Sequence, residues 1–187
     1  MSTLAAQTGA VNLGQGFPDT DGPHEIKEIA RAAIADGRGN QYPPVHGLPD
    51  LREAIADHQQ RFYGLTLDPG TDVVVTTGAS EAIQSSLLAL CDQHDEVLVF
   101  EPWFDIYAVG IDLSRARRVS VPLRPPAFRP DIDALRDAIT DRTRLLLLNS
   151  PHNPTGVVFT REELQAIADL AIEHDLIVLA DEAYEHL

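Results

Sequence analysis

Lysine is nearly absent from this sequence: of 14 basic residues 13 are arginine, and Lys27 is the only lysine. Cysteine is as scarce, with Cys91 alone, which excludes an internal disulfide and a paired-cysteine metal site. Basic residues are few against 29 acids, leaving a formal charge of −15. Such a balance repels phosphate backbones and anionic lipid, which argues against a general nucleic-acid or membrane-surface binder while leaving room for a small, locally held anion. Long apolar runs are missing too. Residues 145–148 and 176–180 are among the longest, far below the roughly 20 residues that span a bilayer. Residues 1–10 have neither a basic start nor an apolar block and do not read as a secretory signal, so a cytoplasmic location is expected.

The composition that is present is that of an ordinary globular domain, 44% hydrophobic and 23% charged with 12 Gly and 13 Pro. A chain of 187 residues is long enough for one domain and short for two. No internal repeat or low-complexity tract interrupts it, and its charges are dispersed as on a solvated surface.

After an extended start, residues 23–36 carry Ile26, Ile29, Ala30, Ala33 and Ile34 at a helical period that Gly37 ends. Residues 37–47, rich in Gly, Pro and Asn, read as a loop, and Leu51, Ala54, Ile55, His58 and Phe62 mark a second helix. From Asp72 the rhythm changes. β-prone runs at 73–77, 97–100, 118–121, 145–149 and 176–181 alternate with helical patterns at 79–90, 104–113, 132–139 and 161–174. This alternation predicts an α/β fold, a mostly parallel sheet with helices on both faces, in which ligands sit at the carboxyl ends of the strands.

Four segments fall at that edge. Thr76-Thr77-Gly78-Ala79-Ser80-Glu81-Ala82 ends a run and starts a helix, exposing backbone N–H groups that suit a phosphate, although an ordinary N-cap reads the same way. Asn149-Ser150-Pro151-His152-Asn153-Pro154-Thr155-Gly156 makes a rigid turn that aims the Asn153 amide. Leu176-Ile177-Val178-Leu179-Ala180-Asp181-Glu182-Ala183-Tyr184 delivers a carboxylate, with a phenol three residues on. A Walker B reading of that strand fails, because it needs a Gly-x-x-x-x-Gly-Lys-Ser/Thr loop and Lys27 stands between Ile26 and Glu28. In Glu101-Pro102-Trp103-Phe104-Asp105-Ile106-Tyr107 the aromatic pair either stacks on a flat ring or packs into the core. Gly14-Gln15-Gly16 is followed by Phe17 and Pro18 and is a poor dinucleotide fingerprint. The histidines, at 24, 46, 58, 94, 152, 174 and 186, show no His-x-x-x-His spacing; Asp181, Glu185 and His186 offer an ad hoc ligand set but read rather as a solvated acidic turn, and no metal is expected.

Together these motifs resemble a class I/II aminotransferase of the fold-type I pyridoxal 5'-phosphate (PLP) family. The resemblance runs from Asn12-Leu13-Gly14-Gln15-Gly16-Phe17-Pro18-Asp19 to Asp181-Glu182-Ala183-Tyr184, strongest in Asn153-Pro154-Thr155-Gly156, Asp181-x-x-Tyr184, and Tyr42 followed by Gly47, Leu51 and Arg52. The opening segment and Asn40-Gln41-Tyr42 are similar to the branch of kynurenine/glutamine transaminases and succinyldiaminopimelate aminotransferases. The resemblance implies that amides around Gly78, Ala79 and Ser80 hold the cofactor phosphate and that Phe104 rather than Trp103 stacks on the ring. It implies that Asn153 and Tyr184 bond the ring's 3′-oxygen and that Asp181 pairs with the ring nitrogen, keeping it protonated. It further implies that Tyr42 reaches the phosphate of a neighbouring subunit in a homodimer, and that Gly16, with Asn153, lies by the substrate carboxylate.

One departure stands out. The family's Schiff-base lysine has no counterpart, since Lys27 sits on the first helix, and the arginine that grips the substrate carboxylate is missing as well. The chain therefore reads as the N-terminal portion of such an enzyme, inactive by itself, with residues 1–40 an arm and small-domain segment and residues 41–187 the PLP-binding large domain. The expected reaction moves an amino group between an amino acid and a 2-oxo acid by a ping-pong route. A PLP-dependent carbon–sulfur lyase, a ligand-sensing domain and a noncatalytic relative share the fold.

Overall fold

The computed structural model describes residues 1–12, 14, 16 and 20–187. The chain divides into two units, Met1–Val45 and His46–Leu187. The first carries α1 (Ser2–Thr8) and α2 (His24–Ala35), neither with a buried residue. Helix α1 replaces the extended start expected from the sequence. Thr8 Oγ1 bonds back to the Leu4 carbonyl at 2.8 Å, and Gly9, at φ 67°, supplies the left-handed residue that ends the helix. In α2 the apolar positions recur as expected, with Ile26, Ile29 and Ile34 all exposed.

In the second unit α3 (Pro49–Tyr63) starts at a proline, whose missing N–H costs nothing in a first turn, and ends at Gly64 with φ 70°. Next come α4 (Gly78–Leu90), β1 (Glu96–Glu101), α5 (Ile106–Leu113), β2 (Arg117–Pro122), α6 (Ile132–Asp137), β3 (Thr143–Asn149), α7 (Arg161–Glu173) and β4 (Ile177–Asp181). The four strands pair in the order β2-β1-β3-β4, every pair parallel. Residues 73–77 are not a strand. Val75 N–H bonds the His46 carbonyl at 3.0 Å and Arg52 Nε bonds the Val73 carbonyl at 3.0 Å, so this backbone is tied to α3 and the loop before it instead of to a ladder. Helix α5 begins at Ile106, leaving Phe104 in the turn after β1.

The period of two along each strand sorts the core into two layers. Val97, Val99, Leu145 and Leu147 face α4 and α5, where they meet Ile83, Leu87, Tyr107 and Ile111, with Ile177 and Leu179 at the margin. Leu98, Phe100, Val121 and Leu146 face α6 and α7, where they meet Leu135, Ile167 and Leu170. Each such side chain contributes about 1.5–3 kcal/mol by burial. A Cβ on Gly110 would lie 2.6 Å from Leu87 Cδ1, so the bare backbone lets α5 close on α4. Helix α7 opens with a reciprocal capping box between Thr160 and Glu163, and α6 with Asp131 accepting from the Ala134 amide at 3.0 Å.

At the amino ends of the strands, the fully buried Glu96 joins three elements. It accepts from Arg117 at 2.7 Å, from Arg142 at 2.7 Å and from Thr140 at 2.7 Å. Burial alone would raise its pKa, but these bonds outweigh it and hold the carboxyl at about 2. No helix among the described residues is long and apolar enough to cross a membrane.

Candidate cofactor site

Asn149 and Asp181 are register partners at the carboxyl ends of β3 and β4. The alternation that points Leu145, Leu147, Ile177 and Leu179 at α4 and α5 points these two the same way. Asn149 is buried and satisfied at both ends: its Nδ2 donates to the Asp181 carbonyl at 2.8 Å, and its Oδ1 accepts the Asn153 N–H at 2.7 Å. The Asn153 turn is closed by its own residues. Gly156 N–H bonds the His152 carbonyl at 2.7 Å, His152 N–H bonds the Val157 carbonyl at 2.9 Å, and the His152 ring meets Thr155 Oγ1 at 2.8 Å. Burial pushes the His152 pKa down.

The Asp181 carboxylate is held by two donors. Tyr107 O–H reaches Oδ2 at 2.6 Å and the Ala183 amide reaches Oδ1 at 3.1 Å. Each oxygen keeps capacity for a further bond. Burial first, and then the bond to Asp181, raises the Tyr107 pKa far above the usual phenol range, so this group stays a donor. Phe104 stands edge-on to Tyr107, ring centroids 5.8 Å apart. Trp103 lies beneath the Arg118 guanidinium, 4.6 Å from its ring. Tyr184 is exposed, and neither its phenol nor the Asn153 carboxamide has a hydrogen-bond partner among the described residues.

The 13-residue helix α4 leads into the amino end of β1, so its first turn lies about 20 Å back, toward the carboxyl ends of the strands. Gly78 there has φ 78°, and a Cβ on it would meet nothing within 4 Å. Of the three amides singled out, that of Gly78 is taken by the Thr76 carbonyl at 2.8 Å. The Thr77 amide bonds the Glu81 carboxylate, which holds that carboxyl below its ordinary pKa. The amides of Ala79 and Ser80 have no partner among the described residues, as a first helical turn dictates.

Gly16 and Tyr42 belong to the first unit, where Tyr42 is wholly exposed. The rest of the opening motif falls partly outside the described residues, at Leu13, Gln15, Phe17, Pro18 and Asp19. Lys27, on α2, is paired with Asp21 at 3.0 Å. Two residues that sequence reasoning passed over, Tyr107 and Asn149, hold Asp181 in place. Tyr107 follows Phe104 by three within the helical pattern read over 104–113, and Asn149 closes a strand in the parity of its neighbours; either signal marks a side chain on the site's face.

Comparison with known proteins decides the family. Residues 8–187 match the model of aminotransferase class I and II. The chain belongs to this aminotransferase family. It is 52% identical over 189 residues to a probable N-succinyldiaminopimelate aminotransferase of Mycobacterium tuberculosis, covering all of this chain and 47% of that protein. It is 42% identical over 187 residues to the methionine aminotransferase of Escherichia coli, covering 48% of it. The solved structure of the Mycobacterium tuberculosis N-succinyldiaminopimelate aminotransferase superposes with a TM-score of 0.96 at 52% identity, over the whole of this chain and 49% of the other. The chain thus spans about half the length of the curated relatives it matches.

Members of this aminotransferase family are PLP-dependent, and the donor set fits that cofactor. A half-buried carboxylate, a free carboxamide, a free phenol, an aromatic ring and two free helix amides complement a protonated ring nitrogen, a ring oxygen, a flat ring and a phosphate.

Proposed function

We propose that the complete protein is a PLP-dependent aminotransferase that moves an amino group between an amino acid and a 2-oxo acid by a ping-pong route. Its cofactor is gripped by residues of the His46–Leu187 unit. The observation that carries this reading is the two-donor clamp on Asp181 beside Asn149 at the ends of β3 and β4. Bound there, PLP supplies an electron-accepting ring. Asp181 holds a proton on the ring nitrogen, and Tyr107 with the Ala183 amide keeps the carboxylate from turning away. Asn153 and Tyr184 donate to the ring oxygen, Phe104 covers one ring face, and the Ala79 and Ser80 amides receive the phosphate with Gly78 as the hinge residue. Gly16 and Asn153 serve the substrate carboxylate.

Lys27 is paired with Asp21 on α2, and we assign it no catalytic part; the family's proton-shuttling amine is assigned to a lysine outside these residues. Residues 1–40 are read as the arm and small-domain segment, and Tyr42 as the contact to a neighbouring subunit's phosphate in a homodimer. The exposed Ile26, Ile29 and Ile34 face supports such an assembly. The cytoplasm is the proposed location, where the buried Cys91 thiol stays reduced.

Pyridoxamine 5′-phosphate needs no lysine to bind and tests the reading. This chain is expected to take up one equivalent, weakened in Asn153→Ala and Ser80→Pro; uptake indifferent to both changes contradicts it. In the full-length protein, amino transfer is expected to require a 2-oxo acid, and release of ammonia and pyruvate without one would mark a lyase instead.

A further inference from the structure

On the second unit, α3 and the turn after β4 bring together three ligand atoms that the reaction does not use. His58 Nε2 and His186 Nε2 stand 2.9 Å apart, and Glu185 Oε1 lies 3.9 Å from the first and 3.6 Å from the second. A point on the axis of that triangle about 0.5 Å off its plane, where a fourth ligand can complete the shell, lies about 2.1 Å from every corner, within the range of zinc to imidazole nitrogen or carboxylate oxygen. A proton shared by the two imidazoles accounts for the shortest side but leaves the carboxylate oxygen bonded to neither. A cation accounts for all three.

The surroundings support a cation. Tyr63 O–H donates to the other Glu185 oxygen, Oε2, which turns Oε1 toward the imidazoles as an outer-shell partner does. The Phe62 ring packs against both, its centroid 4.6 Å from that of His58 and 5.2 Å from that of His186. The formal charge of −15 favours cation uptake.

The geometry points to a divalent transition-metal site, of zinc type, formed by His58, Glu185 and His186 with its fourth position open to water, stapling α3 to the turn that follows Asp181. Two imidazoles and one carboxylate select zinc-like cations over calcium or magnesium. This departs from the absence of metal expected from histidine spacing, because His58 and His186 are 128 residues apart and no local motif joins them.

The test is calorimetric titration of the tag-free chain with zinc, with cobalt as a spectroscopic substitute. One equivalent is expected to bind and raise the Tm, with a cobalt spectrum of a nitrogen- and oxygen-ligated site. His58→Gln and Glu185→Gln are expected to abolish stoichiometric uptake, and Tyr63→Phe to weaken it about tenfold. Far-UV circular dichroism reports whether each variant folds, and exposed His186→Gln serves where His58→Gln does not. No saturable uptake by the unaltered chain, which means a proton-sharing imidazole pair only, overturns the assignment. So does uptake unchanged in a folded ligand variant.

Discussion

Tyr107 donates its phenolic proton to the Asp181 carboxylate at 2.6 Å, joining α5 to the end of β4 across 74 residues of sequence. Tyr107 is buried, so the bond is shielded from water and the donor keeps its proton throughout the physiological range. Tyr107→Phe removes one oxygen and little volume. It is expected to cost about 1.5–3 kcal/mol in urea unfolding, as for a hydrogen bond to a charged group. It should also weaken pyridoxamine 5′-phosphate binding, while Phe104→Leu weakens binding with a smaller stability loss.

Asn149 links the Asn153 amide to the Asp181 backbone. In Asn149→Ala both groups lose their partner in a half-buried place, which should cost about 1–3 kcal/mol in denaturant unfolding. Asn153→Ala, whose side chain is free, should leave stability within about 0.5 kcal/mol. Equal losses in the two variants would contradict this division of roles.

Much of this arrangement was legible before any coordinates. Continuous apolar runs broken by helical periods gave parallel strands and their order of connection, because burial on both faces requires that pattern. The strand ends that carry the candidate site followed, since Asn153 comes just after a strand-like run and Asp181 ends one. Residues 73–77 looked like another strand because β-propensity reads side chains, whereas pairing depends on which backbone lies alongside; here Arg52 and His46 take those groups. Asn149 and Tyr107 were hidden for a related reason. Their partners lie 32 and 74 residues away, and only register and helix packing bring them together.

Glu96 makes stability depend on pH at the opposite end of the sheet. Its folded pKa of about 2 lies below the ordinary 4.5, so its contribution is complete above about 4.5 and is lost as pH falls from there toward 2. The difference corresponds to a contribution on the order of 3 kcal/mol at neutral pH. Glu96→Gln is expected to be less stable than the unaltered chain at pH 7, with the gap closing in acid. A gap independent of pH would refute the assignment to this carboxylate.

Gly47 has φ 98°, and a Cβ there would lie 2.5 Å from Val75 Cγ2. Both the backbone and the contact oppose a side chain. Gly47→Ala should destabilise the protein by at least about 1–2 kcal/mol, and Gly47→Ala with Val75→Gly, which removes the Val75 Cβ at 2.6 Å as well as its Cγ2, should recover the part due to the contact. No recovery would mean that backbone strain alone is responsible.

The role given to Asp181 is tested most directly by comparing pyridoxamine 5′-phosphate with its analogue carrying C–H in place of the ring nitrogen. The unaltered chain is expected to bind the natural form at least about tenfold more tightly, as a charge-assisted bond demands. Asp181→Ala is expected to bind the two alike. An unaltered chain that does not distinguish them, or an alanine variant that still does, would show that this carboxylate does not meet the ring nitrogen.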